Sequence, residues 1–248
     1  REARNGGEFL ARIEAETGIR PRVITGAEEA RLIHQAAVYG VDVGSARAVV
    51  IDIGGGSVEI THGTATQIQA ARSFKIGVIR LTERFIHSDP LSGRDEEKLT
   101  RHVLNEIDRH CEQITAAGFD RVIGTSGTIM SLGAVAVALT TGTPPSELRN
   151  LRVTASQIRR LRKEIVGLSP EQRLALGGLD PRRADLAVAG ALLLDLILRR
   201  LDAASLTLCD LAPRADHGGR QSARRSPSTS VDRRGPIEAR RDDVPGPG

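Results

Sequence analysis

The sequence predicts an α/β fold, in which strands and helices alternate along most of the chain. Short apolar runs such as AVVIDI end at glycine-containing turns, whereas longer segments such as RHVLNEIDRHCEQI repeat apolar residues at helical spacing. Turn signals at GGGS and HGTA separate neighbouring strand patterns, which indicates antiparallel hairpins within the sheet. Hydrophobic residues make up 40% of the 248 residues, enough for a sizeable core.

The first third of the chain predicts helices followed by three strands. Residues 1–17 indicate the end of one element and an amphipathic helix, and residues 21–26 a short strand and turn. A helix is expected over residues 27–40, because its first turn is acidic and the helix dipole favours acid there. Residues 47–77 are expected to form the three strands.

The remaining elements continue the alternation up to a final buried strand. Helices are expected at residues 78–88, 94–118, 155–166, 170–176 and 180–202. Residues 119–139 repeat the pattern of strand, glycine-containing turn and helix, and a loop with two prolines follows at 140–151. The last strand is expected at 205–211. Alternating strands and helices of this kind place the chain in the α/β class.

Composition argues against a general nucleic-acid binder. Aromatic residues are 2% of the chain and Trp is absent, which leaves few stacking platforms for bases. Residues 212–248 contain eight of the 35 basic residues and five of the 31 acidic residues. The rest of the chain therefore has 27 basic and 26 acidic residues and is nearly neutral. Pro, Gly and Ser fill 14 of the 37 residues of 212–248, which we expect to be disordered.

The cysteines and the apolar runs suggest a cytoplasmic protein without a membrane partner. Cys111 and Cys209 show no zinc-ligand spacing and lie in apolar patterns, so buried reduced thiols are expected. No signal peptide is visible. The longest apolar run, LAVAGALLLDLIL, is interrupted by Asp195 and is short enough for a core helix.

The stretch AVVIDIGGGSVEI carries the strongest functional signal. A strand that ends at Asp52 delivers a carboxylate to the edge of a sheet where α/β proteins bind ligands, and Asp52 can hold Mg2+ through water. Glu59 is expected on the same strand face as Ser57. The alternative is a glycine-rich β-turn with an incidental acid. The residues expected to cradle phosphate oxygens are Gly54, Gly55, Gly56 and Ser57.

A second glycine-containing turn, GTSGTI, also lies between a buried strand and a helix. Its backbone amides and the hydroxyls of Ser126 and Thr128 predict a second phosphate cradle at a helix N-terminus, with Gly127 between them. The alternative is an ordinary helix start capped by Ser or Thr.

The segment ITGAEEARLI places Glu28 and Glu29 at the start of a helix. Glutamates in a first turn are commonly solvated partners of the helix dipole. The functional interpretation is a general base that orients water for attack on phosphorus.

Together these segments resemble the exopolyphosphatase and guanosine pentaphosphate phosphohydrolase family, within the actin-like (ribonuclease H-like) ATPase superfamily. The resemblance covers residues 1–211 in family order and spacing. It implies a mixed sheet flanked by helices, two lobes around a cleft, Mg2+, and release of terminal orthophosphate from polyphosphate or guanosine pentaphosphate, the latter a stringent-response reaction. A homodimer is possible by the same comparison. The matching segments are ITGAEEARLI, VVIDIGGGSVEI, RSFKIGVIRLTERF, VIGTSGTI and RRADLAVAGALLL.

The resemblance also implies roles for single residues. Glu29 matches the family's catalytic glutamate, and Asp52 and Glu59 match acids near the metal and the attacking water. The two glycine-containing turns match the family's phosphate loops. Three further cations would line a path for an anionic chain, although solvated charges are the alternative: Arg72, Lys75 and Arg80.

The departures from the family pattern concern both ends of the chain. The family's first phosphate loop, of the Asp-x-Gly-Ser-Asn type, is absent, and we expect residues 1–45 to be a remnant of a largely truncated first lobe. Residues 46–211 would be the second lobe. Residues 212–248 do not continue the family pattern, and we hypothesise a frameshifted end. A phosphate-binding fragment without turnover, or a kinase of the same superfamily, are therefore alternative functions.

Other polar residues are expected to be structural. His102, Glu106 and His110 share a spacing typical of metal ligands, although a charged helix often produces it by chance. His34 is expected to be a packed histidine. Asp185 is expected to cap or anchor the last helix.

Overall fold

A six-stranded mixed sheet lies at the centre of the structure, a computed structural model that describes residues 3–210. The strand order is β3-β2-β1-β4-β6-β5. Strands β1 to β3 form two antiparallel hairpins, whereas β1, β4 and β6 run parallel and β5 returns antiparallel to β6. The strands are β1 (Ala48–Ile53), β2 (Val58–Gly63), β3 (Ile68–Phe74), β4 (Arg121–Thr125), β5 (Arg152–Thr154) and β6 (Ser205–Leu208).

Helices cover both faces of this sheet. A short 3-10 helix, Pro181–Arg183, precedes the last α-helix. The α-helices are α1 (Gly6–Thr17), α2 (Gly26–Val41), α3 (Val78–Phe85), α4 (Gly93–Ala117), α5 (Gly127–Thr141), α6 (Ala155–Ile165), α7 (Pro170–Leu174) and α8 (Ala187–Arg200).

The alternation of side chains along β1 divides the core into two clusters. Val49, Ile51 and Ile53 belong to the larger cluster, which contains residues of α3, α4, α5, α6 and α8. Ala48 and Val50 belong to a smaller cluster with Ala37 and Val38 of α2. Successive strand residues point to opposite faces, so every second residue of β1 faces α2. Asp52 lies two residues after Val50 in β1, so its carboxylate also faces α2.

The sequence analysis was wrong about one strand and missed another. Residues 21–25 form no strand and lead into α2, which begins at Gly26, because Pro21 has no backbone donor and the Thr25 side chain caps α2 by accepting from the Glu28 amide at 3.1 Å. The sequence pattern also missed β5, whose three residues are too few to show a period. The helices expected at residues 27–40 and 94–118 and the three strands within 47–77 are confirmed.

The predicted helix over residues 180–202 begins later than expected. Asp180 accepts a hydrogen bond from the Arg182 amide at 3.1 Å and starts the short 3-10 helix, because Pro181 suits a first helical position. Asp185 is exposed, and α8 begins after Leu186 without a side-chain cap bond, so Asp185 is not the cap that the sequence suggested.

The interior polar residues have specific partners. His34 is fully buried, and its two ring nitrogens contact the Thr61 hydroxyl at 2.8 Å and the Thr64 carbonyl at 3.2 Å. His110 contacts the Ile60 carbonyl at 2.9 Å. These contacts confirm a packed His34 and give His110 a structural role at β2.

Both cysteines are buried and free, as predicted. Burial raises the pKa of Cys111 to about 12, so this thiol stays protonated at neutral pH. Within residues 3–210, no helix combines the length and apolar character needed to cross a bilayer. The predicted disordered or frameshifted tail, residues 212–248, lies outside the described residues.

The start of helix α3 packs against the GGGS turn through hydrogen bonds between backbone atoms. The amides of Val78 and Ile79 donate to the carbonyls of Gly54 and Gly55, at 3.0 and 2.9 Å. A Cβ atom on Gly77 would lie 2.4 Å from the Gly55 carbonyl oxygen. Gly77 therefore permits a contact that any side chain would prevent.

We predict that Gly77→Ala separates α3 from the turn and lowers the free energy of unfolding by about 2 kcal/mol or more, because backbone atoms cannot move aside as a side chain can. Chemical denaturation monitored by circular dichroism measures the change. Gly93→Ala is the control, since a Cβ atom there meets nothing within 4 Å, and it should change stability by less than about 0.5 kcal/mol. Equal effects of the two substitutions would contradict the prediction.

Candidate active site

A cleft of about 660 Å³ opens between the start of α2, the GGGS turn and β3. Five residues that the sequence singled out line it: Gly56, Ser57, Arg72, Lys75 and Arg80. The three cations among them are exposed, and Lys75 and Arg80 lie just after β3 and in the first turn of α3. Residues separated by many positions in the sequence thus meet at one cationic surface, as expected for a site that binds an anionic chain.

The GGGS turn is both a hairpin turn and a wall of the cleft. The Gly54 amide donates to the Ser57 carbonyl at 2.9 Å, so this amide serves the turn itself. Arg80 is anchored to the same turn, since its Nε donates to the Gly56 carbonyl at 2.8 Å. The two interpretations of the sequence, a tight β-turn and a phosphate loop, are therefore compatible in one geometry.

Three strands place a row of polar side chains on the sheet face that α2 covers. Asp52 of β1 pairs in register with Glu59 of β2, and Glu59 pairs with Ser73 of β3. Residues that are directly opposite in antiparallel strands have Cβ atoms about 5 Å apart on the same face. Ser73 donates to a carboxylate oxygen of Glu59 at 2.6 Å, which holds this nearly fully buried acid.

Burial and two neighbouring acids change the pKa of Asp52. Burial raises the pKa of Asp52, and the charges of Glu59 and then Glu29 raise it further, to about 7. Glu29 thus belongs to the same electrostatic cluster, although it lies on α2 and the other two acids lie on the sheet. The structure brings together all three acids that the sequence selected as catalytic.

The two adjacent glutamates of α2 have different environments. Glu28 forms a two-pronged ion pair with Arg22, in which one contact measures 3.0 Å, and the pKa of Glu28 is lowered mainly by this hydrogen bonding. The charge of Glu29 instead raises the pKa of Asp52. The Arg22 contact therefore keeps Glu28 apart from the acidic cluster, and no local sequence pattern shows this contact.

The second predicted loop begins beside Asp52. Asp52 pairs with Thr125 of β4, and Ser126 follows directly. Ser126 has φ of 91°, a conformation that residues with side chains rarely adopt, and its hydroxyl accepts from the Ile129 amide at 3.4 Å. Thr128 is buried. The residues of this loop do not line the 660 Å³ cleft.

Sequence reasoning missed two residues near the loops. Ser73 gave no signal of its own, although its position opposite Glu59 in a predicted hairpin would have placed it beside that acid. Arg183 lies so close to Gly127 that a Cβ atom there would be 2.4 Å from its guanidinium nitrogen. No sequence spacing relates Arg183 to the second loop.

A family model for the Ppx/GppA phosphatase family matches residues 1–218. The chain belongs to this family. It is 31% identical to Exopolyphosphatase 1 of Mycobacterium leprae over 215 residues, which cover 86% of this chain and 63% of that protein. It is 33% identical to Exopolyphosphatase 2 of Mycobacterium tuberculosis over 184 residues, which cover 74% and 57%. The chain thus spans about three fifths of the curated relatives that it matches.

Solved structures of the family have the same fold. An exopolyphosphatase from Cytophaga hutchinsonii aligns with a TM-score of 0.74 at 28% identity, covering 84% of this chain and 67% of that one. A Ppx/GppA family member from Aquifex aeolicus aligns with a TM-score of 0.70 at 25% identity, covering 84% and 66%. These similarities confirm the predicted actin-like α/β fold and the family resemblance.

The donor set of this Ppx/GppA family protein fits a hard divalent cation. Among the described residues, no group of three or more His, Cys, Asp or Glu forms a ready-made metal site. A Mg2+ site needs fewer protein ligands, because Mg2+ keeps several waters and binds through one or two carboxylates together with substrate phosphates. Asp52 carries a raised pKa beside two other acids, and a cation here would offset their repulsion. Mg2+ at Asp52 through water stays a prediction.

We predict that Asp52→Asn stabilises the metal-free protein at pH 8, where native Asp52 must ionise against burial and two acidic neighbours. A shift of several pKa units on a partly accessible group suggests a gain of about 1 to 2 kcal/mol. Thermal unfolding in a chelating buffer measures it. Added Mg2+ should stabilise the unaltered protein more than the variant, and an unchanged or lower unfolding temperature for Asp52→Asn would contradict the prediction.

We predict that Ser73→Ala lowers the free energy of unfolding by about 1 to 3 kcal/mol, because it removes the hydrogen bond that Ser73 donates to the nearly fully buried Glu59 carboxylate. Chemical denaturation monitored by circular dichroism measures the change. Ser73→Thr keeps the hydroxyl and should restore most of the stability. Equal losses for the two variants would contradict the prediction.

Proposed function

We propose that this protein is a phosphoanhydride hydrolase that releases terminal orthophosphate from inorganic polyphosphate. The observation that carries the proposal is an acidic row directly behind the wall of a cationic cleft. Asp52, Glu59 and Glu29 do not line the cleft themselves, but Ser73 lines it and donates to Glu59. A substrate with many phosphates needs the cations for binding, and its terminal phosphorus needs an acidic group that handles water. The names of the curated relatives support the same reaction.

Binding of the chain's end would rest on Lys75, Arg80 and the GGGS turn. Arg80 reaches the cleft from a fixed position, because its Nε is bonded to the Gly56 carbonyl. Arg72, which also lines the cleft, is held over the Phe74 ring, 5.1 Å from the ring centroid. Anchored cations lose less conformational freedom when an anion binds, which favours affinity.

The hydrolytic step would use the acids in distinct roles. Glu29 orients a water and accepts its proton as the water oxygen attacks the terminal phosphorus. The bond between that phosphorus and the bridging oxygen breaks, and the shortened chain leaves with the bridging oxygen. Glu59, held by Ser73, fixes the position of the water. Mg2+, when bound through Asp52, would neutralise charge on the phosphate oxygens.

Guanosine pentaphosphate is the second substrate to test, since the family resemblance of the sequence implies it beside polyphosphate. Its terminal phosphoanhydride is chemically the same bond, and the residues that line the cleft recognise phosphate charge. Conversion to the tetraphosphate would therefore use the same acids.

We predict that Glu29→Gln lowers the rate of Mg2+-dependent orthophosphate release by about 10²- to 10⁴-fold, because the amide cannot accept a proton from water. Glu28→Gln is the matched control: it changes the adjacent residue, which pairs with Arg22, and should leave the rate within about twofold. The assay compares long-chain polyphosphate with guanosine pentaphosphate.

Three results would contradict the proposal. Equal rates for Glu29→Gln and Glu28→Gln would mean that Glu29 does not act in hydrolysis. Tight polyphosphate binding without any release by the unaltered protein would identify a phosphate-binding module. Transfer of phosphate to an added acceptor, without release to water, would identify a kinase.

A further inference from the structure

His34 joins α2 to β2 through two hydrogen bonds in the interior of the protein. Its side chain is fully buried, and its ring nitrogens contact the Thr61 hydroxyl at 2.8 Å and the Thr64 carbonyl at 3.2 Å. Thr61 is a residue of β2, and Thr64 follows that strand directly in the turn to β3. One helical side chain is therefore bonded to two points of the β2–β3 hairpin.

The partners of His34 determine which of its ring nitrogens carries the proton. Burial lowers the pKa of His34, although the contact with the Thr64 carbonyl acts in the opposite sense, so the ring is neutral at pH 7. A carbonyl oxygen can only accept, so Nε2 carries the proton and donates to Thr64. Nδ1 then accepts from the Thr61 hydroxyl. The two bonds together use the full hydrogen-bonding capacity of a neutral imidazole.

The two elements that His34 joins also carry two of the three acids. Glu29 lies five residues before His34 on α2, and Glu59 lies two residues before Thr61 on the same face of β2. Five residues of an α-helix advance about 7.5 Å, and two residues of a strand advance about 6.6 Å. The separation between acid and hydrogen bond is thus similar along the helix and along the strand. A bond at His34 therefore fixes how far along β2 the Glu29 carboxylate lies.

The apolar contact between α2 and the sheet cannot fix this position by itself. The buried residues of α2 other than His34 are Ala30, Ala37 and Val38, all of which are small. Apolar contacts are non-directional, so small side chains allow the helix to shift along the sheet with little loss of packing. Such a shift matters for a catalytic group, because a displacement of about 1 Å can lower a rate about 100-fold.

We propose that His34 is a positioning residue for hydrolysis, whose two hydrogen bonds to the β2–β3 hairpin hold α2 where Glu29 faces Asp52 and Glu59. This inference rests on the proposed function, in which Glu29 orients the attacking water. His34 is fully enclosed by protein, so it acts only through the position of α2. Loss of its hydrogen bonds should reduce turnover and leave substrate binding by the cations of β3 and α3 nearly unchanged.

The test measures orthophosphate release from long-chain polyphosphate with Mg2+. His34→Phe keeps a planar ring without hydrogen bonds, and it should lower turnover about 10- to 100-fold with KM within about threefold. His34→Gln keeps one donor and one acceptor in its amide and should retain turnover within about threefold. Thr61→Val removes only the hydroxyl from the same contact and should lower turnover about 3- to 10-fold. This milder variant decides the question if His34→Phe does not fold.

Ile158→Val is the control for a general loss of packing. Ile158 is a fully buried residue of α6 and belongs to the larger core cluster, on the sheet face opposite α2. The substitution leaves a small cavity there and should keep turnover within about twofold, at a temperature where circular dichroism shows every variant folded. The positioning role is overturned if Ile158→Val lowers turnover as much as His34→Phe does, or if His34→Phe and His34→Gln have equal turnover.

Crystal structures of the unaltered protein and of His34→Phe, or of Thr61→Val in its place, separate this inference from the proposed function. The Glu29 carboxylate should move by about 1 Å relative to Asp52 in the variant. Such a displacement in a protein whose unaltered form releases no orthophosphate would sustain the hold of His34 on Glu29 and overturn the function. Orthophosphate release at an unchanged rate, with Glu29 in its original position, would sustain the function and overturn the inference. Neither release nor displacement would overturn both.

Discussion

The contact between α3 and the GGGS turn is the constraint on which the rest of the site depends. Because Gly77 has no side chain, the first amides of α3 reach the carbonyls of Gly54 and Gly55. This contact sets the position of Arg80, whose side chain returns to the turn at Gly56. It also sets one wall of the 660 Å³ cleft, which Arg80 lines together with Gly56. One backbone-to-backbone approach thus orders both the loop and the cation.

The acidic residues Asp52, Glu59 and Glu29 lie close enough to repel one another, which is unfavourable for the folded protein. Asp52 and Glu59 lie opposite each other on adjacent strands, where like charges are unfavourable, and α2 adds Glu29 from above. The Ser73 hydrogen bond stabilises one of these acids. An acid whose pKa is raised by burial and by two neighbouring acids, close to a cleft, is typical of a functional site, because a purely structural role would not require it. The strained Ser126, next to the same strand edge, fits this pattern.

Sequence reasoning located the parts of this site that are continuous in the chain. The GGGS turn, its flanking acids and the glutamate pair of α2 each carry a local pattern of composition and spacing. Sequence reasoning failed where the signal was short or non-local. Residues 21–26 have strand-like composition, yet Pro21 and the capping role of Thr25 leave them outside the sheet. Ser73 and Arg183 matter through neighbours that are distant in sequence, so no local pattern marks them.

The sequence by itself determined the α/β class and the family, and it selected Glu29, Asp52 and Glu59 as candidate acids, because these depend on hydrophobic periodicity and on motifs within short segments. Only the tertiary structure showed how the environments of the two adjacent glutamates differ, since Glu28 pairs with Arg22. It also showed that the start of α2, the GGGS turn and the cations at the end of β3 and in α3 line one cleft. Strand register and helix docking bring distant side chains within a few ångströms, and such distances are a property of the folded chain rather than of any segment.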